Sequence, residues 1–135
     1  MGAIYNSRDG GNSWQAEVED AAGAVRDLRR GADGQYVSVS GLGNFFATWT
    51  PGEAAWTPHQ RMSSQRLQSM GFQPDGSLWM LARTAKGMMQ SFSTDGGKTW
   101  ASPSEPPGIR QPNARFHFRR LASGRLLLVK HGDRI

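Results

Sequence analysis

Ser93-Thr94-Asp95-Gly96-Gly97-Lys98-Thr99-Trp100 has the form S-x-D-G-G-x-T-W. Gly96 and Gly97 accept positive φ, so the backbone can reverse tightly there. Asp95 can take hydrogen bonds from the turn's own amides, with Ser93 and Thr99 as weaker partners. A strand expected over Met88 to Ser93 runs into the turn, and Trp100 packs beside it. The pattern returns as Ser7-Arg8-Asp9-Gly10-Gly11-Asn12-Ser13-Trp14, its aspartate 86 residues before Asp95. Midway lies a worn copy, Thr48-Trp49-Thr50-Pro51-Gly52-Glu53-Ala54-Ala55-Trp56, so that Trp14, Trp56 and Trp100 stand 42 and 44 residues apart. That period belongs to a β-propeller blade, four antiparallel strands running outward from a central channel. The expected fold class is therefore all-β, and the Ser7, Asp9, Gly11, Trp14 and Ser93, Asp95, Gly97, Trp100 sets are expected to be structural.

Outward from these boxes, alternating residues and turn signals divide the rest of the chain. Ala3 to Ser7 and Ser13 to Val18 read as the third and fourth strands of a blade. Val25 to Arg30, Gln35 to Ser40, Asn44 to Trp49 and Trp56 to His59 read as a complete blade. Leu67 to Phe72, Ser77 to Arg83, Met88 to Ser93 and a strand from about Thr99 read as a second. After a proline-rich link, Arg115 to Leu121 and Arg125 to Lys130 read as the first two strands of another. The expected organisation is one half-propeller domain over 1–135: an outer half-blade at 1–22, blades at 23–62 and 63–104, and an inner half-blade at 105–135. Three blades' worth of strands close no comfortable ring, and the end hairpins leave open edges. Pairing the two half-blades between two copies predicts a six-bladed homodimer.

Composition excludes several function classes. The 135 residues suffice for one packed domain. There is no cysteine, hence no disulfide and no thiolate metal site. His59, His117 and His131 share no ligand spacing, so neither a metal nor a cofactor is expected. No apolar run reaches membrane-spanning length, and no targeting segment is read at the start. The net charge of +5, carried mostly by arginine, invites an acidic peptide or carboxylate partner. The basic residues are spread along the chain without a nucleic-acid-binding motif, which argues against that partner.

Two stretches carry resemblances. GAIYNSRDGGNSWQ, AVRDLRRGADGQYVSVSGLGNFFATWTPG, AAWTPHQ and SSQRLQSMGFQPDGSLWMLAR, covering residues 2 to about 83, resemble the photosystem II assembly and stability factor of cyanobacteria and chloroplasts. That family is a lumenal propeller, and the resemblance implies protein binding without catalysis through an arginine-rich patch. TAKGMMQSFSTDGGKTW and ASPSEPPGIRQPNARFHFRRLASGRLLLVKHG, within residues 77 to 132, look like bacterial sialidase-like BNR-repeat proteins. The two resemblances overlap near 75–83, which leads to the expectation of a recombined or engineered chimera, catalytically inert, whose main property is self-assembly. The alternatives are a protein-binding module like the assembly factor, and a sialidase-like hydrolase or lectin.

The resemblances also nominate residues. The assembly factor's patch implies Arg26, Arg30 and Arg66, with Arg29 surplus to the expected pattern. Arg115, at the start of an inner strand in the sialidase-like part, is where a carboxylate-binding arginine would lie. Arg26, Arg66 and Arg115 fall near the starts of inner strands and would gather at one mouth of the channel. A sialidase needs a tyrosine nucleophile. Tyr5 and Tyr36 are the only tyrosines, and both lie in the other part of the chain. No catalytic residue is therefore expected.

Overall fold

A computed structural model describes residues 2–21, 25–40, 45–62, 66–110 and 112–132. Eleven strands are described, all paired antiparallel: β1 (Gly2–Asn6), β2 (Gln15–Ala21), β3 (Val25–Arg30), β4 (Tyr36–Ser40), β5 (Phe45–Trp49), β6 (Thr57–Arg61), β7 (Arg66–Phe72), β8 (Leu78–Thr84), β9 (Gly87–Ser93), β10 (His117–Arg120) and β11 (Leu126–Val129). They form a β1-β2 hairpin, a four-stranded sheet β3-β4-β5-β6, a three-stranded sheet β7-β8-β9 and a β10-β11 hairpin. These are propeller blades, and the described residues contain no helix able to cross a membrane.

One expected element differs. No continuous strand follows the second box; the fourth place of the second blade is held by a single bridge between Gln90 and Ser104. Ala101 N–H also donates to the Phe92 carbonyl at 2.9 Å. Pro103 has no N–H for a ladder, and the prolines after Ser104 carry the chain away. The expected pairing of β10-β11 with β1-β2 of a second copy, closing six blades, is not shown by this single chain.

The main core lies between the two middle blades. Val37, Val39 and Phe46 of the first interdigitate with Met70, Leu78, Met80 and Ala82 of the second, and Trp100 closes the layer. The second aspartate box thus packs on the blade before its own. Trp100 stacks on Phe46 with ring centroids 4.1 Å apart, and its backbone N–H donates to Gln60 Oε1 at 2.8 Å. Gly97 has φ +90°, and a Cβ there would stand 2.7 Å from Val37 Cγ1. Both the turn and the close approach therefore require glycine. Trp14 makes the same local bond, Nε1 to the Gly11 carbonyl at 3.1 Å, yet is 61% exposed.

Candidate functional site

The strands β3, β7 and β10 lie side by side as the inner strands of successive blades. Their hairpin turns put Gly34, Gly76 and Gly124 in equivalent places, all with positive φ. Seven residues before each stands Asp27, Ser69 or His117. Asp27 is buried, and its Oδ2 accepts the Met70 N–H of the next blade at 3.0 Å and the Ser69 hydroxyl at 3.2 Å. Its Oδ1 accepts Leu28 N–H at 2.8 Å and Arg29 Nη1 at 2.6 Å. Ser69 repeats the arrangement one blade on: its Oγ accepts Phe118 N–H at 3.1 Å and lies 3.2 Å from the Phe118 carbonyl. A polar clip therefore runs across the inner strands, each blade holding the backbone of the next.

The clip residues were not singled out from sequence. The repeat places three different residue types at one register position, so similarity does not mark them. The signal available was an aspartate and an arginine two residues apart, Asp27 and Arg29, on one face of an expected strand. Arg29, read as surplus, is a strut: besides Asp27 it reaches the Leu28 carbonyl at 2.8 Å and the Phe118 carbonyl at 3.3 Å.

The nominated arginines divide between the two ends of the blades. Val25 pairs with Ser40, Ser40 with Phe45, and Phe45 with Arg61. Arg66 pairs with Arg83 and Arg83 with Met88. The clips set β3, β7 and β10 in matching register, so their starts share one end of the fold, and Arg26, Arg66 and Arg115 lie at that end. Arg26 and Arg115 are exposed, and Arg66 is placed by its backbone, its side chain lying outside the described residues. Arg30 does not join them. It lies at the far end of β3 beside the hairpin turn, with its guanidinium 5.9 Å from the Tyr36 ring centroid.

The two ends differ in charge. The turn end is nearly balanced: Asp9, Asp33, Glu53, Asp75 and Asp95, each accepting a backbone N–H of its own turn, stand among Arg8, Arg30, Lys98, Arg120 and Arg125. Hydrogen bonds from Ser13 (hydroxyl and amide) and Ser7 hold the Asp9 pKa at about 2. Those from Thr99, then Ser93 and Lys98, hold Asp95 at about 2 against the opposing effect of burial. Ser77 lowers the Asp75 pKa in the same way. At the other end stand Arg26, Arg61, Lys86, Arg110, Arg115 and Lys130, with Glu105 as the carboxylate among the described side chains. Glu19 and Asp20 lie toward that end of β2, their side chains outside the described residues. This end can hold an anion, and its guanidinium groups suit a carboxylate in particular.

Little else offers chemistry. Among the described residues no group of three His, Asp or Glu side chains is arranged to hold a metal. His59 bonds Thr48 Oγ1 at 2.6 Å, and burial first, then the charge of Lys98, lowers its pKa. Neither tyrosine is on an inner strand: Tyr5 is exposed on β1, and Tyr36 on β4 packs against Trp49.

Comparison with known proteins supplies the family. The family model described as photosynthesis system II assembly factor YCF48 matches residues 1–113. Two proteins named photosystem II assembly lipoprotein Ycf48 are similar: that of Synechococcus sp. CC9902 is 70% identical over 86 residues, 64% of this chain and 26% of its own. That of Synechococcus sp. RCC307 is 62% identical over 108 residues, 78% of this chain and 32% of its own. The chain thus spans about a quarter to a third of the length of these relatives. Among solved structures, YCF48 bound to D1 peptide matches with a TM-score of 0.55 and 45% identity over 78% of this chain and 33% of that one. The NanB sialidase of Streptococcus pneumoniae matches with a TM-score of 0.68 over 93% of this chain and 23% of its own, but at 16% identity, a likeness of fold alone.

These findings overturn the expectation of an engineered or recombined chimera whose main property is self-assembly. The family match runs through residues 75–83, where a seam was expected, and continues to 113. The sialidase-like look of the second part reflects shared blade architecture: boxes and hairpin turns of this kind follow from the fold and not from the reaction. The chain belongs to the photosystem II assembly factor YCF48 family.

Proposed function

We propose that the chain is a peptide-binding part of a photosystem II assembly factor, and that it holds an acidic, carboxylate-bearing peptide at the strand-start end of its blades. The single observation that carries this reading is the 45% identity to YCF48 bound to D1 peptide. The cationic end agrees with it. Arg26, Arg66 and Arg115 are the residues assigned to the peptide, as donors to carboxylates; Arg30 is assigned to packing on Tyr36 at the other end. The clip of Asp27, Ser69 and Arg29 fixes the inner strands on which these arginines ride.

Titration with a labelled D1 peptide, followed by fluorescence anisotropy, tests the reading. Saturable binding that weakens about tenfold on Arg26→Ala together with Arg115→Ala is expected. Equal affinity of the double variant and the parent would remove these residues from the site.

Ring closure is a separate part of the proposal. The chain is read as one half-propeller domain in which β10-β11 supplies the inner half of a blade and β1-β2 the outer half. Two copies complete six blades without open edges. A mass near twice 14.8 kDa by light scattering supports this closure, and 14.8 kDa sinks it.

A further inference from the structure

The connections between inner and outer strands are unequal. Four residues (62–65) join β6 to β7, whereas twelve (105–116) separate Ser104 from β10. Connections of the longer kind without secondary structure commonly serve binding. This one arches beside the β8–β9 turn and encloses an open pocket of about 770 Å³. Its apolar lining comes from Met88, Pro106, Pro107 and Ile109, and its charged groups are Lys86, Arg110 and Glu105.

The pocket is built rather than incidental. Pro106 is buried, and Ile109 packs on the Leu81, Met88, Phe116 and Phe118 cluster, so the link is anchored. Its turn closes with Ile109 N–H to the Pro106 carbonyl at 3.4 Å around Gly108, which has φ +71°. Prolines fix φ and keep such a wall preorganised. Across from it, Thr84 Oγ1 donates to the Gly87 carbonyl at 3.0 Å and accepts Lys86 N–H at 3.1 Å. That holds the tip of the turn and presents Lys86. The link runs directly into Arg115, so pocket and arginine mouth lie at the same end of the fold.

We propose that this pocket is an accessory subsite for the acidic peptide, taking an apolar side chain between Met88, Pro106 and Ile109 while Lys86 and Arg110 hold an adjacent carboxylate. The subsite rests on the peptide-binding reading above and adds to it a requirement: an apolar residue next to an acidic one. Two cations against one carboxylate at the rim set the sign of the ligand. Glu105 opposes that ligand, so its charge tunes the affinity downward.

The test is an amide NMR titration of the 135-residue chain with the peptide acetyl-Asp-Leu-Asp-amide, and with its Leu→Ser counterpart. Saturating shifts at Lys86, Gly87 and Arg110 are expected, with affinity reduced about fivefold by Lys86→Ala with Arg110→Ala. Glu105→Gln should raise affinity about twofold to threefold, and the serine peptide should bind several-fold more weakly. Shifts confined to Arg26 and Arg115 and unmoved by Lys86→Ala would overturn the subsite while leaving the mouth. Pocket shifts that persist unchanged in Arg26→Ala with Arg115→Ala, with no shifts at the mouth, would overturn the mouth and keep the subsite. Weaker binding in Glu105→Gln would overturn the anionic ligand. No shift anywhere at millimolar peptide would overturn both.

Discussion

Trp14 and Trp100 occupy the same place in two copies of one motif, and their surroundings separate turn chemistry from packing. Each indole donates to the carbonyl of its own box glycine, Gly11 or Gly97. Trp100 alone is covered, by Phe46 of the preceding blade. Trp100→Ala is therefore expected to cost about 3–5 kcal/mol, and Trp14→Ala less than about 1 kcal/mol, by urea unfolding. Similar losses for both would mean that the local turn, not the blade contact, sets the energy. The box was legible because its chemistry is local: Asp95 and Thr99 find each other within one turn. The landing of Trp100 on Phe46, and of Gly97 on Val37, depends on residues more than fifty positions away and left no local trace. The box aspartates also set an acid limit. Asp9 and Asp95 have folded pKa values of about 2, below the ordinary 3.8. The stability they contribute is fully present above the ordinary value and is lost as pH falls through the folded one. Thermal midpoints should fall between pH 4 and pH 2, and Asp95→Asn should flatten part of that slope. An unchanged profile in the variant would deny Asp95 its role.

Between elements, the decisive contacts are the clips from β3 to β7 and from β7 to β10. Asp27→Ala leaves the Met70 amide without its acceptor and Arg29 without its carboxylate, in a buried place. A loss of about 3 kcal/mol is expected, against about 1 kcal/mol for Ser69→Ala, which removes a neutral partner. Chemical denaturation of the two variants checks the order, and a reversed order would sink the ranking. The strands themselves were largely legible, β3 to the residue, because alternation and glycine turns are read two residues at a time. The clip was not. Asp27, Ser69 and His117 share only a distance from a turn glycine, and their common task depends on how neighbouring blades lie. The outer strand after the second box failed for the opposite reason. Its composition suggested continuation, while the prolines after Ala101 let only the Ser104 bridge form.

At the scale of the whole molecule the governing fact is polarity of charge along the blades. A formal +5 says only that cations are in excess. Cations stand at both ends, and it is the carboxylates that the fold gathers at one, because box and hairpin turns spend them on their own amides while links and strand starts need none. Legibility follows the same division. That Arg26, Arg66 and Arg115 share an end could be read by counting strands, whereas the pocket beside Lys86 requires the path of the 105–116 link. A site of this kind binds through exposed guanidinium and ammonium groups, and salt screens those strongly. Between 50 and 500 mM salt, affinity for a carboxylate-bearing peptide is expected to fall about tenfold, and a peptide with its carboxylates amidated should lose most of that dependence. The comparison isolates the electrostatic part, because both peptides keep the same apolar side chains. If both peptides bind equally at every salt concentration, the cationic end is only a solvated face and the peptide must be held elsewhere. If the acidic peptide alone responds to salt, the charge sorting imposed by the turns is what makes this end a receptor.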